Sequence, residues 1–96
     1  MRLQNTNSLK NLIAQLIKEE GLEEGLQHAQ IYALWDELLG VTVAKNTRKK
    51  YIQGRTLFVY LNSSVVRNQL FMMRQDIIEQ LNKKMGKEII NALELH

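Results

Sequence analysis

Between Gly40 and Asn62 the apolar residues of this chain change period, and that change fixes its fold class more firmly than anything else in the sequence. Before it, Leu9, Leu12, Ile13, Leu16 and Ile17 recur at i, i+3, i+4, i+7 and i+8, the stripe of one helix face. Within it, Leu57, Val59 and Leu61 alternate with Thr56, Phe58 and Tyr60, the period of a half-buried strand. After it, Val66, Leu70, Met73, Ile77 and Leu81 return to helical spacing. A chain that switches in this way cannot be all-helical or all-strand. It folds as a mixed α+β domain with helices on one face of a small sheet.

Local signals set the expected boundaries. Asn7 or Ser8 is placed to cap a first helix, and Gly21 to end it. A second helix is expected from about Glu23 to Leu39, with Leu22, Leu26, Ile31, Leu34, Trp35 and Leu38 on its apolar side and Gly40 as its stop. Trp35, the only tryptophan, reads there as a core anchor. Val41, Val43, Thr47, Tyr51 and Ile52 favour an extended first strand, and Gly54 sits where a hairpin connection is needed before Thr56. Asn62-Ser63-Ser64 then caps one long helix running to about Lys84, with Lys83 and Lys84 at the negative end of its dipole and Gly86 beyond. Ile89, Ile90, Leu93 and Leu95 offer a short third strand. The expected organisation is a polar tail over residues 1–7 and one domain over 8–96.

Composition narrows the function classes. With 96 residues, 45% hydrophobic and 24% charged, the chain has the balance of an ordinary globular domain. It has no cysteine, so thiol nucleophiles, disulfides and cysteine-bound metals are excluded. No apolar run approaches the roughly 20 residues of a membrane span, and the N-terminus carries no secretory signal pattern. A cytoplasmic location is expected. His28 and His96 are the only histidines, His28 on a helix surface and His96 at a frayed terminus. Glu19-Glu20 and Glu23-Glu24 read as a solvated acidic turn, and no phosphate-binding glycine loop occurs. Neither an enzyme activity nor a cofactor or small-molecule substrate is expected.

Charge is more informative. The net charge is +3, but residues 1–43 carry three basic and six acidic side chains, whereas residues 44–96 carry ten basic and four acidic. Lys45, Arg48, Lys49, Lys50 and Arg55 crowd the first strand and hairpin, with Tyr51, Phe58 and Tyr60 interleaved. Cations neutralise phosphates and release counterions, and aromatic faces stack on unpaired bases. Arg67 and Arg74 extend the basic set from the long helix. The candidate nucleic-acid-binding residues are therefore Lys45, Arg48, Lys49, Lys50, Tyr51, Arg55, Arg67 and Arg74. An acidic protein partner without nucleic-acid contact, or RNA in place of DNA, also answers this pattern.

Trp35-x4-Gly40, Ala44, Thr47, Gly54-x2-Leu57-x-Val59, Ser63 or Ser64, Leu70 and Leu81-Asn82-x3-Gly86, in this order and spacing, resemble the DciA family over about Leu9 to Leu95. Glu19-Glu20-Gly21-Leu22-Glu23 is similar to the short Bacteroidetes members. The resemblance implies a KH-like α+β fold and association with DNA and with the bacterial replicative helicase, which such proteins help to load; together with the basic, aromatic-bearing segment from Lys45 to Tyr60, it makes single-stranded or forked DNA the expected partner. Val66 stands where many members carry tryptophan, and Lys49 near where many carry proline. No GxxG is present, so the loop by which KH domains clamp a nucleotide backbone is not implied. The sequence ends with the domain, so helicase contact is expected either to use the folded surface or to be absent.

Overall fold

The structure, a computed structural model, describes residues 6–19 and 21–96, and the side chains of residues 9–15 and 21–96. Its elements are α1 (Thr6–Glu19), α2 (Leu22–Asn46), β1 (Thr47–Gln53), β2 (Thr56–Leu61), α3 (Ser64–Met72), α4 (Arg74–Met85) and β3 (Ala92–Leu95). Of the tail expected over residues 1–7, residues 1–5 lie outside the described residues, while Thr6 and Asn7 already belong to α1. The side chains of Asn7 and Ser8, expected to cap that helix, also lie outside them.

α2 presents Ile31 and Trp35, four residues apart and so one above the other, and both are completely buried. The helix breaks at Gly40, where its sequence places a stop, but the chain does not turn to strand there. Gly40 takes φ 87 and ψ 178, conformations closed to residues with a Cβ, and helical turns resume on a new course from Val41 to Asn46. Val41 and Val43, expected in the first strand, therefore belong to a helical segment. For Val43 tertiary packing overrides the β preference, because it lies against the core and its carbonyl accepts the Thr47 hydroxyl at 2.7 Å. That hydroxyl oxygen in turn accepts the indole N–H of Trp35 at 3.1 Å, so Thr47 fixes the point where helix becomes strand.

β1 and β2 form the expected hairpin, pairing antiparallel from Gln53↔Thr56 outward, with Gly54 at φ 63 in the two-residue connection. The register shifts by one between Thr47 and Lys49, leaving Arg48 as a bulge. Leu57, Val59 and Leu61 of β2 are buried, as their alternation requires. β3 pairs parallel to β2, giving the order β1-β2-β3 with β2 central.

The single helix expected from Ser64 to Lys84 is interrupted. Ser63 caps α3 by accepting the Val66 N–H at 3.2 Å, but Met73 adopts φ −106 and ψ 9 and divides α3 from α4. Had the helix been continuous, Met73 would have joined the buried stripe; it is instead 47% exposed. Val66 and Leu70 of α3, and Ile77, Ile78 and Leu81 of α4, all lie in or against the core. The segment before β3 is held by Asn82, whose amide donates to the Ile90 carbonyl at 2.7 Å and accepts the N–H groups of Ile89 and Ile90 at 2.9 and 3.1 Å. The resulting core joins α2, α3 and α4 to one face of the sheet.

Candidate nucleic-acid interface

Strand parity sends Leu57, Val59, Leu61, Ile52 and Leu93 toward the helices, so Lys49, Tyr51, Phe58, Tyr60, Glu94 and His96 share the opposite face. Among the described residues no helix covers that face. Four rings stand on it in a row. Phe58 lies 4.9 Å from Tyr51 with 11° between planes, Tyr51 lies 6.2 Å from Tyr60 at 21°, and Tyr60 lies 4.9 Å from His96 at 20°. Cross-strand aromatic pairs of this kind stabilise a sheet face that lacks a covering layer. Lys49 places Nζ 5.2 Å from the Tyr51 centroid and 5.7 Å from that of Tyr60, so a cation sits against the middle of the row.

This geometry alters the chemistry expected of the aromatics. Because neighbouring rings cover one another's faces, solvent meets mainly their edges. The interior of the row offers no open face for a base to lie on; it offers hydroxyls, ring edges and an ammonium group. Hydrogen bonding to Tyr60 holds the Tyr51 phenol above its ordinary value of 10.0, with desolvation and the negative charge of Glu94 acting in the same direction. Glu94 also places a carboxylate on this face, which an approaching phosphate has to avoid.

His96 is ordered by the sheet. Its N–H donates to the Val59 carbonyl at 2.9 Å, and its carbonyl accepts the Leu61 N–H at 2.8 Å, which corrects the expectation of a frayed residue. The alternation that points Glu94 outward points His96 outward too, and this was the available signal.

The eight candidate residues do not form one surface. Lys45 and Arg48 are exposed at the α2–β1 junction, and Lys49 and Tyr51 follow on the open face. Lys50 points the other way, as its place beside Lys49 in a strand requires, and donates to Asp36 Oδ1 of α2 at 3.0 Å with its side chain only 16% exposed. Arg55 is engaged at the hairpin by the Glu88 carbonyl at 3.2 Å and the Glu88 carboxylate at 3.3 Å. Arg67 and Arg74 belong to the helical layer. The structure thus brings Lys49 and Tyr51 together on the open face, with exposed Lys45 and Arg48 just before them in the chain, while Lys50 and Arg55 are engaged by carboxylates and Arg67 and Arg74 lie in the helical layer.

Elsewhere, His28 Nε2 lies 3.7 Å from Glu24 Oε1 on α2, and no three potential metal ligands converge among the described residues. No described helix is long and apolar enough to cross a membrane.

Comparison with known proteins places these features in context. Residues 8–95 match the sequence model of the family described as "Dna[CI] antecedent, DciA". The chain is also similar to a UPF0232 protein of Corynebacterium glutamicum (strain R), with 26% identity over 93 residues. That alignment covers 97% of this chain but 52% of the relative, so the chain spans about half the length of the curated protein it matches.

Proposed function

This chain belongs to the DciA family, and from that premise we propose that it is a non-catalytic, cytoplasmic accessory of the bacterial replicative helicase that contacts DNA through the open face of its sheet. The observation carrying this reading is the position of Lys49 over the Tyr51 and Tyr60 rings on an uncovered face, with exposed Arg48 and Lys45 on the approach to it. The family supplies the replicative context; the residues supply the mode of contact. Residues 8–96 act in it as one unit, without the GxxG clamp of KH domains.

The row of rings favours contact with the sugar–phosphate backbone over base stacking. Lys45, Arg48 and Lys49 neutralise phosphates, and the Tyr60 hydroxyl, whose own proton is not used by Tyr51, donates to a phosphate oxygen. Contact of this kind carries little sequence information, which suits a protein that acts wherever a helicase is placed.

Titration of a labelled single-stranded or forked oligonucleotide at two salt concentrations tests the proposal. Affinity should fall steeply with salt, by about 0.7 in the logarithmic slope for each phosphate neutralised on a single strand. A fluorescent purine analogue in the strand should keep most of its emission, since stacking is not the mode of binding. Absence of binding at low salt refutes the DNA contact, and preference for RNA of equal length in competition refutes the choice of DNA.

A further inference from the structure

The outward side of α3 carries Met72, the most exposed large apolar side chain among the described residues. Val66 and Leu70 turn inward to the core. Val65 and Met72, seven residues apart and hence on the same line, face outward with 65% and 85% of their surface exposed. Phe71 beside them is 53% exposed, and the positions between are the uncharged Asn68 and Gln69. The next helix shows the contrast, since α4 turns Asp76, Glu79, Lys83 and Lys84 to solvent. Methionine and phenylalanine exposed together without charge mark a binding surface more often than a solvated one.

The flanking charges are of one sign. The Arg74 guanidinium lies 3.7 Å from the Phe71 ring centroid and donates through Nε to the Phe71 carbonyl at 3.1 Å, which fixes it at the edge of the apolar strip. Neither Arg74 nor Arg67 forms an ion pair among the described residues. An arginine stacked on an aromatic ring and free of a carboxylate is preorganised for one from outside. The size of the strip bears on what that partner is. Nine residues of helix extend about 14 Å. A stable two-chain interface needs about 800 Å² from each partner, more than one short helix face provides. A second copy docked face to face would oppose arginine to arginine, whereas a single helix of matching length that carries carboxylates complements the margins, with contact weaker than that of a permanent interface.

We propose that the outward face of α3, with Arg74 and Arg67 at its margins, docks an amphipathic helix of a partner protein that carries carboxylates beside its apolar stripe. This surface goes beyond the DNA-binding reading and does not rest on it, since it lies on the helical side of the sheet.

The test uses the whole chain and two synthetic peptides with the same leucine stripe, one flanked by glutamates and one by lysines, followed by backbone-amide chemical shifts. The glutamate peptide should shift resonances of residues 64–74 and bind at least about tenfold more tightly than the lysine peptide. Met72→Glu, at a position already exposed, should weaken it about tenfold or more while leaving DNA affinity within about twofold. Equal binding of the two peptides, shifts confined to the sheet, or indifference to Met72→Glu would overturn the proposal. So would a concentration-dependent dimer abolished by Met72→Glu, which would assign the face to a second copy. Because DNA affinity is read in the same variant, loss of peptide binding and failure of the DNA reading are told apart.

Discussion

Lys50 donates to Asp36 Oδ1 at 3.0 Å and thereby leaves the basic cluster to which its sequence neighbours belong. The pair joins β1 to α2 on the core side, whereas Lys49 lies on the open face against Tyr51. Two adjacent lysines therefore have different work, and substitution separates them. Lys49→Ala should weaken single-stranded DNA binding and reduce the salt slope by about one phosphate's share. Lys50→Ala should leave the slope nearly unchanged and cost about 1 kcal/mol or less of stability, because Asp36 is half exposed and the pair is screened. Salt-dependent titrations of both variants, with urea melts, check the assignment.

Thr47→Val should be costly out of proportion to its size. The Trp35 indole N–H, on a completely buried side chain, donates to the Thr47 hydroxyl, and valine would leave that donor unpaired. A loss of about 1–3 kcal/mol is expected. It is measurable by urea unfolding followed through the fluorescence of the only tryptophan. Thr47→Ser, which keeps the hydroxyl, should lose markedly less.

Gly40→Ala tests the break in α2. A Cβ there meets no atom within 4 Å, so the penalty comes from the backbone alone. At φ 87 and ψ 178 it should reach about 1–3 kcal/mol. A thermal melt that leaves the midpoint unchanged would mean that the chain does not need this conformation.

Much of this was legible in the sequence. The alternation of Leu57, Val59 and Leu61 gave the central strand and its buried side, Gly54 the hairpin, and Ser63 the start of α3. The same parity, applied to Lys49 and Lys50, separates the two lysines, although their charge had grouped them. Three features were not legible. Val41 and Val43 carry β preference but are helical, Val43 held so by packing against the core. The break at Met73 has no proline or glycine to mark it, and Leu70 before it and Ile77 after it are both buried, as one continuous stripe would also leave them. The mutual stacking of the rings depends on how the side chains turn across the strands: the hairpin register pairs Tyr51 with Phe58, but alternation alone does not bring the ring planes parallel.

Tyr60→Phe should lower the titration of Tyr51. The hydrogen bond with Tyr60 is the largest cause of its elevation above 10.0, so removing that hydroxyl brings the transition down. The sign for stability follows. A phenol whose folded-state value is raised contributes fully below the ordinary value, and that contribution is lost as pH rises through the folded-state value. The wild-type protein should therefore lose stability above pH 10.0 more steeply than Tyr60→Phe. Tyrosinate absorbance and alkaline melts report the two effects.

The most direct test of the DNA-binding surface is a backbone-amide chemical-shift titration of the whole chain with a single-stranded oligonucleotide at low salt. The largest shifts should fall on residues 45–51, 58–60 and 94–96, the strands bearing the ring row and the approach to it, and should diminish as salt is added. Shifts concentrated around Arg67 and Arg74 on the helical side, or none at saturating DNA, would contradict that assignment.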